Sequence, residues 1–349
     1  MKKIAFRVDG GKDTGMGHVM RSLSLASAFP DKHQIVFIVN NEDIKDYLKY
    51  SNLNIKTFII GNHLSSDEEI NKVRSILKEN DINILITDSY NIDQQYLSAV
   101  KKEVELLVSI HDFAPFSFPS DIVINGNVYA ADMEYKSLNG NTKFLLGTKY
   151  LLMRKEFIDL PKRELSKDVS KVLVTVGGGD PLNLTTKIIR SMKLLADHDL
   201  IDRSNIQINI VIGPAFTNKM EIIRITKTLN LDITLHINVH KMSDLMLACD
   251  MAVSAGGSTL YELAAAGTPA IAILQSENQF QGALALIKKE TIINLGRGDM
   301  IGTDAIANNI NKLMSNFQFR RKMSQTGQKL VDGRGAERCA QEILRKNGK

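Results

Sequence analysis

The sequence predicts an α/β protein built from two doubly wound, Rossmann-like parallel-sheet domains facing each other across a cleft. Three observations lead there. Short β-rich runs alternate with amphipathic helical stretches along the chain, the pattern of parallel sheets with helices on both faces. The alternation restarts near residue 171, so each half has strands enough for its own sheet. The chain also has 349 residues, more than one core ordinarily organises.

In the first half the β-rich runs are residues 4–8, 35–39, 56–60, 84–87, 106–110 and 122–124, most of them closed by Gly, Asn or Asp. Helical periodicity covers 18–29, 67–79 and 94–102. The second half carries runs at 171–176, 208–212, 233–237, 251–254, 270–274 and 292–295, with helices at 183–195 and 259–266 among those that intervene. Residues 155–170 are polar and charged around Pro161 and read as the linker. Residues 305–346 are mostly helical, interrupted at Asp332-Gly333-Arg334-Gly335. The expected division is a first domain at 1–158, a second at 168–332, and a C-terminal helix at 333–349 with the first domain as its candidate packing partner.

Composition narrows the classes. Apolar residues make up 44% and charged residues 24%, which excludes a globally disordered or collagen-like chain. The net charge of +5 is mild, and the basic residues form no stripe with aromatics between, so a nucleic-acid partner is not expected. Cys249 and Cys339 have no metal-ligand spacing and read as buried small hydrophobes. The apolar run after Met1-Lys2-Lys3 is too short for a signal peptide, and none reaches the length of a membrane span. A cytoplasmic protein without a membrane span is the expectation.

Glycine-rich turns at strand ends carry the chemistry. The first runs Asp9-Gly10-Gly11-Lys12-Asp13-Thr14-Gly15-Met16-Gly17-His18 into a helix. Such a turn lets backbone N–H groups and a positive helix end meet a phosphate; its plain alternative is a tight turn without ligand. Met20 stands where a dinucleotide fingerprint needs its third glycine. His18, at the start of the helix, is placed to act as a base or to cap the turn. The second turn, Gly256-Gly257-Ser258-Thr259 before Glu262, is again a backbone nest for phosphate. Glu262 lies one helical turn in from Ser258, which we read as the spacing of a capping box. Its two readings are a helix cap and an acceptor for ribose hydroxyls. Gly177-Gly178-Gly179-Asp180-Pro181-Leu182-Asn183 and Gln275-Ser276-Glu277-Asn278-Gln279 follow two further strands. All these clusters stand at carboxyl ends of strands, where doubly wound sheets bind ligands.

Taken in order, these segments resemble a known family. Phe6-Arg7-Val8-Asp9, Gly15-Met16-Gly17-His18-Val19-Met20-Arg21-Ser22, Gly177 to Asn183, Gly256 to Glu262, Asn278-Gln279 and Asp332-Gly333-Arg334-Gly335-Ala336 are similar to the UDP-2,4-diacetamido-2,4,6-trideoxy-β-L-altropyranose hydrolases of pseudaminic acid biosynthesis and to related spore-coat polysaccharide proteins. The chain departs from the family's pattern at Gly10-Gly11, Met16, Ser22 and Ser89.

The resemblance implies the glycosyltransferase B fold, similar to the enzyme that adds N-acetylglucosamine to lipid I. It implies hydrolysis of a UDP-sugar at the anomeric C–O bond, without cofactor or metal and with inversion. His18 and Tyr90 fall on the catalytic positions. Glu262 falls on the family's nucleotide-binding glutamate and Asn278 on its asparagine near the sugar, and Asp9, Gly15, Gly17, Arg21, Gly178, Asp180, Asn183, Gly256, Gly257, Ser258, Thr259 and Gln279 are the further expected substrate-binding residues. The implied partners are a UDP-sugar and the enzymes of nonulosonic acid synthesis. A UDP-sugar-dependent transferase, a hydrolysing sugar 2-epimerase and a nucleotide-sugar binding protein without turnover are the competing classes; the epimerase signature Gly-Thr-Arg-Pro-Glu is missing.

Overall fold

The computed structural model describes residues 1–11, 15–49, 51, 53–62, 64–237, 239 and 241–346. Lys12, Asp13 and Thr14 of the first glycine turn lie outside the described residues, as do residues 347–349 of the expected C-terminal helix. The chain forms two compact units. One is Met1–Lys155 joined by the segment from Gly333, and the other is Glu156–Asp332.

The strands are β1 Lys3–Val8, β2 Gln34–Val39, β3 Ile55–Ile59, β4 Ile84–Asp88, β5 Leu106–Ile110, β6 Ser117–Phe118, β7 Ile122–Asn125, β8 Lys136–Ser137 and β9 Lys143–Leu146, then β10 Lys171–Thr175, β11 Gln207–Ile212, β12 Asp232–Ile237, β13 Met251–Ala255, β14 Ala270–Leu274 and β15 Ile292–Arg297. The helices are α1 Gly17–Ala26, α2 Glu42–Lys49, α3 Ser66–Glu79, α4 Gln94–Val100, α5 Leu184–Asp197, α6 Lys219–Thr228, α7 Met242–Ala248, α8 Thr259–Ala266, α9 Phe280–Lys288, α10 Thr303–Ser315, α11 Phe317–Leu330 and α12 Gly335–Lys346.

The first unit holds a parallel sheet in the order β3-β2-β1-β4-β5-β7-β9, and the second one in the order β12-β11-β10-β13-β14-β15. In each sheet the order reverses beside the first strand, between β1 and β4 and between β10 and β13. That switch point opens a crevice at the carboxyl ends of the strands. In β1, Ile4, Phe6 and Val8 face one side, where residues of α1 and Cys339, Ala340 and Ile343 of α12 join the same core. Ala5 faces the other side, with residues of α3 and α4. In the second unit Val172, Val174 and Val176 pack with α5 and with Ile306, Ile310 and Leu313 of α10.

Three differences from the sequence reading have physical causes. Residues 156–170 are not a free linker. Ser243 donates to Glu156 Oε2 from its backbone N–H and its hydroxyl, Arg163 donates to the backbone carbonyls of Leu247 and Cys249, and Ser170 and Lys171 both donate N–H bonds to Asp250 Oδ2. Two charges of the segment, Glu156 and Arg163, are thus committed to the fold of the second unit. Helix α2, with only Ile44 and Leu48 buried, has too thin an apolar stripe to stand out. Strand β9 lies at the sheet edge with a single fully buried position, Leu145.

Candidate functional site

In the first unit the site grows from the switch point. β1 and β4 pair in register, Val8 beside Asp88. The turn after β1 therefore leads into α1 next to the end of β4. Gly15 has φ +74°, a backbone state open to glycine, whereas a Cβ at Gly17 would meet only open space. Among the described residues no side chain caps α1, so its first N–H groups keep a partial positive charge.

His18, on the first turn of α1, is buried, with 8% exposure. Its Nδ1 lies 2.6 Å from Asp88 Oδ1. Asp88 is a carboxylate and only accepts, so Nδ1 carries a proton, and in the neutral ring Nε2 is the acceptor. Arg21 grips the same carboxylate, Nε to Oδ2 at 2.7 Å and Nη2 to Oδ1 at 2.6 Å. Its Nη1 donates to both oxygens of Asp112, at 2.8 and 2.9 Å. Tyr90 donates its hydroxyl to Asp112 Oδ2 at 2.5 Å and sets its ring edge-on to His18, centroids 4.5 Å apart.

Electrostatics keep these groups in fixed states. Burial alone would raise the Asp88 carboxyl, but the Arg21 charge and hydrogen bonds from Arg21 and His18 outweigh it and hold it below the usual range. Burial likewise opposes ionisation of Asp112, yet Arg21 and Tyr90 hold it down to about 2. Burial and the neighbouring Asp112 charge push the Tyr90 hydroxyl up, so it remains a donor.

This has a consequence for acid stability. The folded Asp112 carboxyl sits at about 2 against an ordinary 3.8. Its contribution, about 2 kcal/mol, is therefore complete above pH ~4 and is lost as pH falls through about 2. Urea unfolding followed by circular dichroism from pH 4 down to 2 should show a shallower loss in Asp112→Asn than in the wild type. Equal slopes would remove this role.

Two residues expected to touch substrate have other work. Arg21 is committed to Asp88 and Asp112. Asp9 accepts from Arg7 Nη1 at 2.6 Å and from the hydroxyl of Ser89. Arg7 also donates to Glu69 of α3, at 2.9 Å. This buried network pins the segment carrying Tyr90 beside the first glycine turn. Asp88 and Asp112 were not among the expected site residues. The available signal was an acidic residue closing each of two apolar strands, one of them adjacent to β1 in a doubly wound sheet.

The second unit places the remaining turns side by side, at the ends of β10, β13 and β14. Gln275 Nε2 donates to the carbonyl of Val176 at 2.6 Å, and Gln279 Oε1 accepts from the N–H groups of Gly256 and Gln275 at 3.2 and 2.9 Å. A Cβ on Gly256 would lie 2.3 Å from Leu274 Cδ2, so any larger residue there would have to displace that buried side chain. Gly178 lies open, while Asp180 caps α5, accepting from Leu184 N and Thr185 N at 2.7 and 2.9 Å. Its carboxylate is thus spent on the helix. Asn183 takes the left-handed backbone at φ +52° and accepts from Asn218.

Gly257, Ser258 and Thr259 lead into α8, where Ser258 is the N-cap and makes no side-chain cap bond. Glu262 is the fourth residue after that cap, one beyond the position a capping box uses, so the box expected from the sequence is not formed. Glu262 is half-buried and Asn278 exposed. The unit thus offers a helix start and glycine backbone for an anion. Among the described residues, no group of three or more His, Cys, Asp or Glu side chains is placed to hold a metal ion. No described helix is long and apolar enough to cross a membrane.

Residues 171–338 match the glycosyltransferase family 28 C-terminal domain. The chain is 28% identical over 288 residues to an uncharacterized protein of Methanocaldococcus jannaschii, covering 79% of this chain and 56% of that protein. It is 28% identical over 337 residues to the spore coat polysaccharide biosynthesis protein SpsG of Bacillus subtilis, 95% of each. It is also 28% identical over 189 residues to the UDP-2,4-diacetamido-2,4,6-trideoxy-beta-L-altropyranose hydrolase of Campylobacter jejuni, covering 53% of this chain and 64% of that protein. The chain thus spans about half the length of the archaeal relative and under two thirds of the Campylobacter one. Among solved structures, MurG of Acinetobacter baumannii superposes with a TM-score of 0.72 at 14% identity, over 99% of this chain and 100% of that one. The fold is that of the glycosyltransferase B type.

Proposed function

We propose that the protein hydrolyses a UDP-sugar between the anomeric carbon and the diphosphate oxygen, releasing UDP. The observation that carries this reading is the 2.6 Å bond from His18 Nδ1 to the buried Asp88 carboxylate, which leaves Nε2 as an oriented acceptor. In this reading a water gives its proton to Nε2 while its oxygen bonds to the anomeric carbon. The C–O bond to the diphosphate breaks, UDP departs with the electron pair, and the sugar inverts. A positioned base is worth ~10²–10⁴-fold. The departing charge is supported by backbone N–H groups at Gly256 to Thr259, the start of α8.

The sugar we propose is 2,4-diacetamido-2,4,6-trideoxy-β-L-altropyranose, on the way to CMP-pseudaminic acid. The naming of the Campylobacter relative supports it. A second reading is a UDP-sugar-dependent transferase of surface polysaccharide synthesis, in which an acceptor hydroxyl replaces water. The family 28 match over residues 171–338 favours that one. Incubation with a panel of UDP-sugars, with and without acceptors and with EDTA, tests both by assay of free UDP. Release without acceptor supports hydrolysis. Release only with acceptor supports transfer, and binding without release defeats both.

Glu262 is proposed to accept the ribose hydroxyls of UDP. Glu262→Ala should weaken UDP binding about ten- to hundredfold, the loss of charge-assisted hydrogen bonds, and raise KM more than it lowers kcat. Calorimetry with UDP checks this; a variant that loses only melting temperature is a structural one.

A further inference from the structure

We propose that Asp112 is a positioning residue for His18: by taking Arg21 Nη1 with both oxygens it offsets the guanidinium charge, so that Asp88 can support a proton gained at His18 Nε2. The inference deepens the reaction proposed above and rests on that reading only for its catalytic meaning.

The need for Asp112 follows from charge. Arg21 touches the carboxylate that orients His18, and its Nη2 also lies 3.0 Å from His18 Nδ1. Asp88 and Arg21 alone sum to zero, so a proton arriving on the imidazole would join a pair with no net negative charge. The positive start of α1 adds to the disadvantage. Asp112 restores one negative charge.

A neutral acceptor would satisfy Arg21 geometrically. Elsewhere this chain does that: Arg163 donates to the carbonyls of Leu247 and Cys249, and Arg320 to those of Leu313, Met314, Ser166 and Lys167. Burying a second carboxylate costs desolvation that a carbonyl does not. The charge itself is what the carbonyl could not supply. Asp112 is also held from several sides, by Tyr90 OH, by Asn127 Nδ2 at 2.8 Å, and through its own carbonyl by Asn125 Nδ2 at 3.0 Å.

Among the described residues, the charged and titratable groups around His18 are Asp88 at the end of β4, Arg21 on α1, Tyr90 after β4, and Asp112 and His111 after β5. The His111 ring lies 6.3 Å from that of Tyr90, and burial favours its neutral form.

The test is the titration of His18 in isotopically labelled protein, followed by NMR and assigned with His18→Asn. In Asp112→Asn the midpoint should move to lower pH by about half a unit or more, the direction set by losing a nearby negative charge. It should stay near wild type in Asp112→Glu. Since Asp112→Asn strips partners from a buried guanidinium, the pair Arg21→Gln and Arg21→Gln/Asp112→Asn reads the same charge without one; the double variant should again titrate lower. An unchanged or higher midpoint in the asparagine variants overturns the proposal. The acid limb of kcat for UDP release should move the same way. A wild type that releases no UDP overturns the reaction, while the titration still decides Asp112.

Discussion

Replacing His18 by asparagine is expected to abolish UDP release, with turnover down ~10²–10⁴-fold, while UDP still binds within a fewfold. The asparagine amide can donate to Asp88 as Nδ1 does, so the Asp88–Arg21–Asp112 clamp keeps its partners. What disappears is the acceptor at Nε2. UDP binding is assigned to the glycine turns and α8 of the other unit, which His18 does not belong to. Steady-state assay of UDP together with calorimetric titration separates the two quantities. A variant retaining more than a tenth of the wild-type turnover would sink the assignment of the base. A variant that loses UDP binding as well would mean that His18 holds the nucleotide instead.

The strands were legible because both sheets are parallel and covered on both faces. A run such as Ala270–Leu274, buried at every position, stands out as a block of apolar residues closed by polar ones. Elements whose burial is partial did not stand out: α2 and β9 bury few residues and carry mixed sequence. The C-terminal segment illustrates another limit. The first domain was the candidate partner of this helix, but only the folded chain shows that Cys339, Ala340 and Ile343 are the residues that join the core of β1 and α1.

The site was half legible for a similar reason. Glycine turns announce themselves, because the left-handed state at Gly15 or Gly177 excludes most residues locally. Asp88 and Asp112 are distant in sequence from Arg21, and their role depends on the order of strands in the sheet. Asp9, Arg21 and Asp180 look like ligand contacts at strand ends, yet each is satisfied inside the protein, by Arg7 and Ser89, by two carboxylates, and by the N–H groups opening α5. A polar residue at a crevice has the ligand and the fold competing for it, and sequence alone does not show which one it serves.

Asp88→Asn should cost nearly as much as loss of His18 itself, ~10²–10⁴-fold in turnover. The carboxylate accepts four bonds, from His18 Nδ1, Arg21 Nε and Nη2, and, at 3.3 Å, Ser22 Oγ. An amide has one oxygen. With its nitrogen in the place of Oδ2 it confronts Arg21 Nε–H, and in the place of Oδ1 it confronts Arg21 Nη2–H. In the second orientation the amide also donates to His18 Nδ1, which moves the imidazole proton to Nε2 and removes the base. The guanidinium is displaced either way, and the ring loses its fixed orientation. UDP affinity should stay near wild type, since Asp88 lies outside the unit to which UDP binding is assigned by proposal. Breaking a buried pair can cost ~3–5 kcal/mol in stability, so circular dichroism at neutral pH must first show a folded variant. The discriminating measurement is then the double variant His18→Asn/Asp88→Asn. If the two side chains act as one unit, the double variant should be about as impaired as either single one. Losses that multiply would mean that Asp88 supports the reaction by some route other than orienting His18, and the dyad would have to be abandoned.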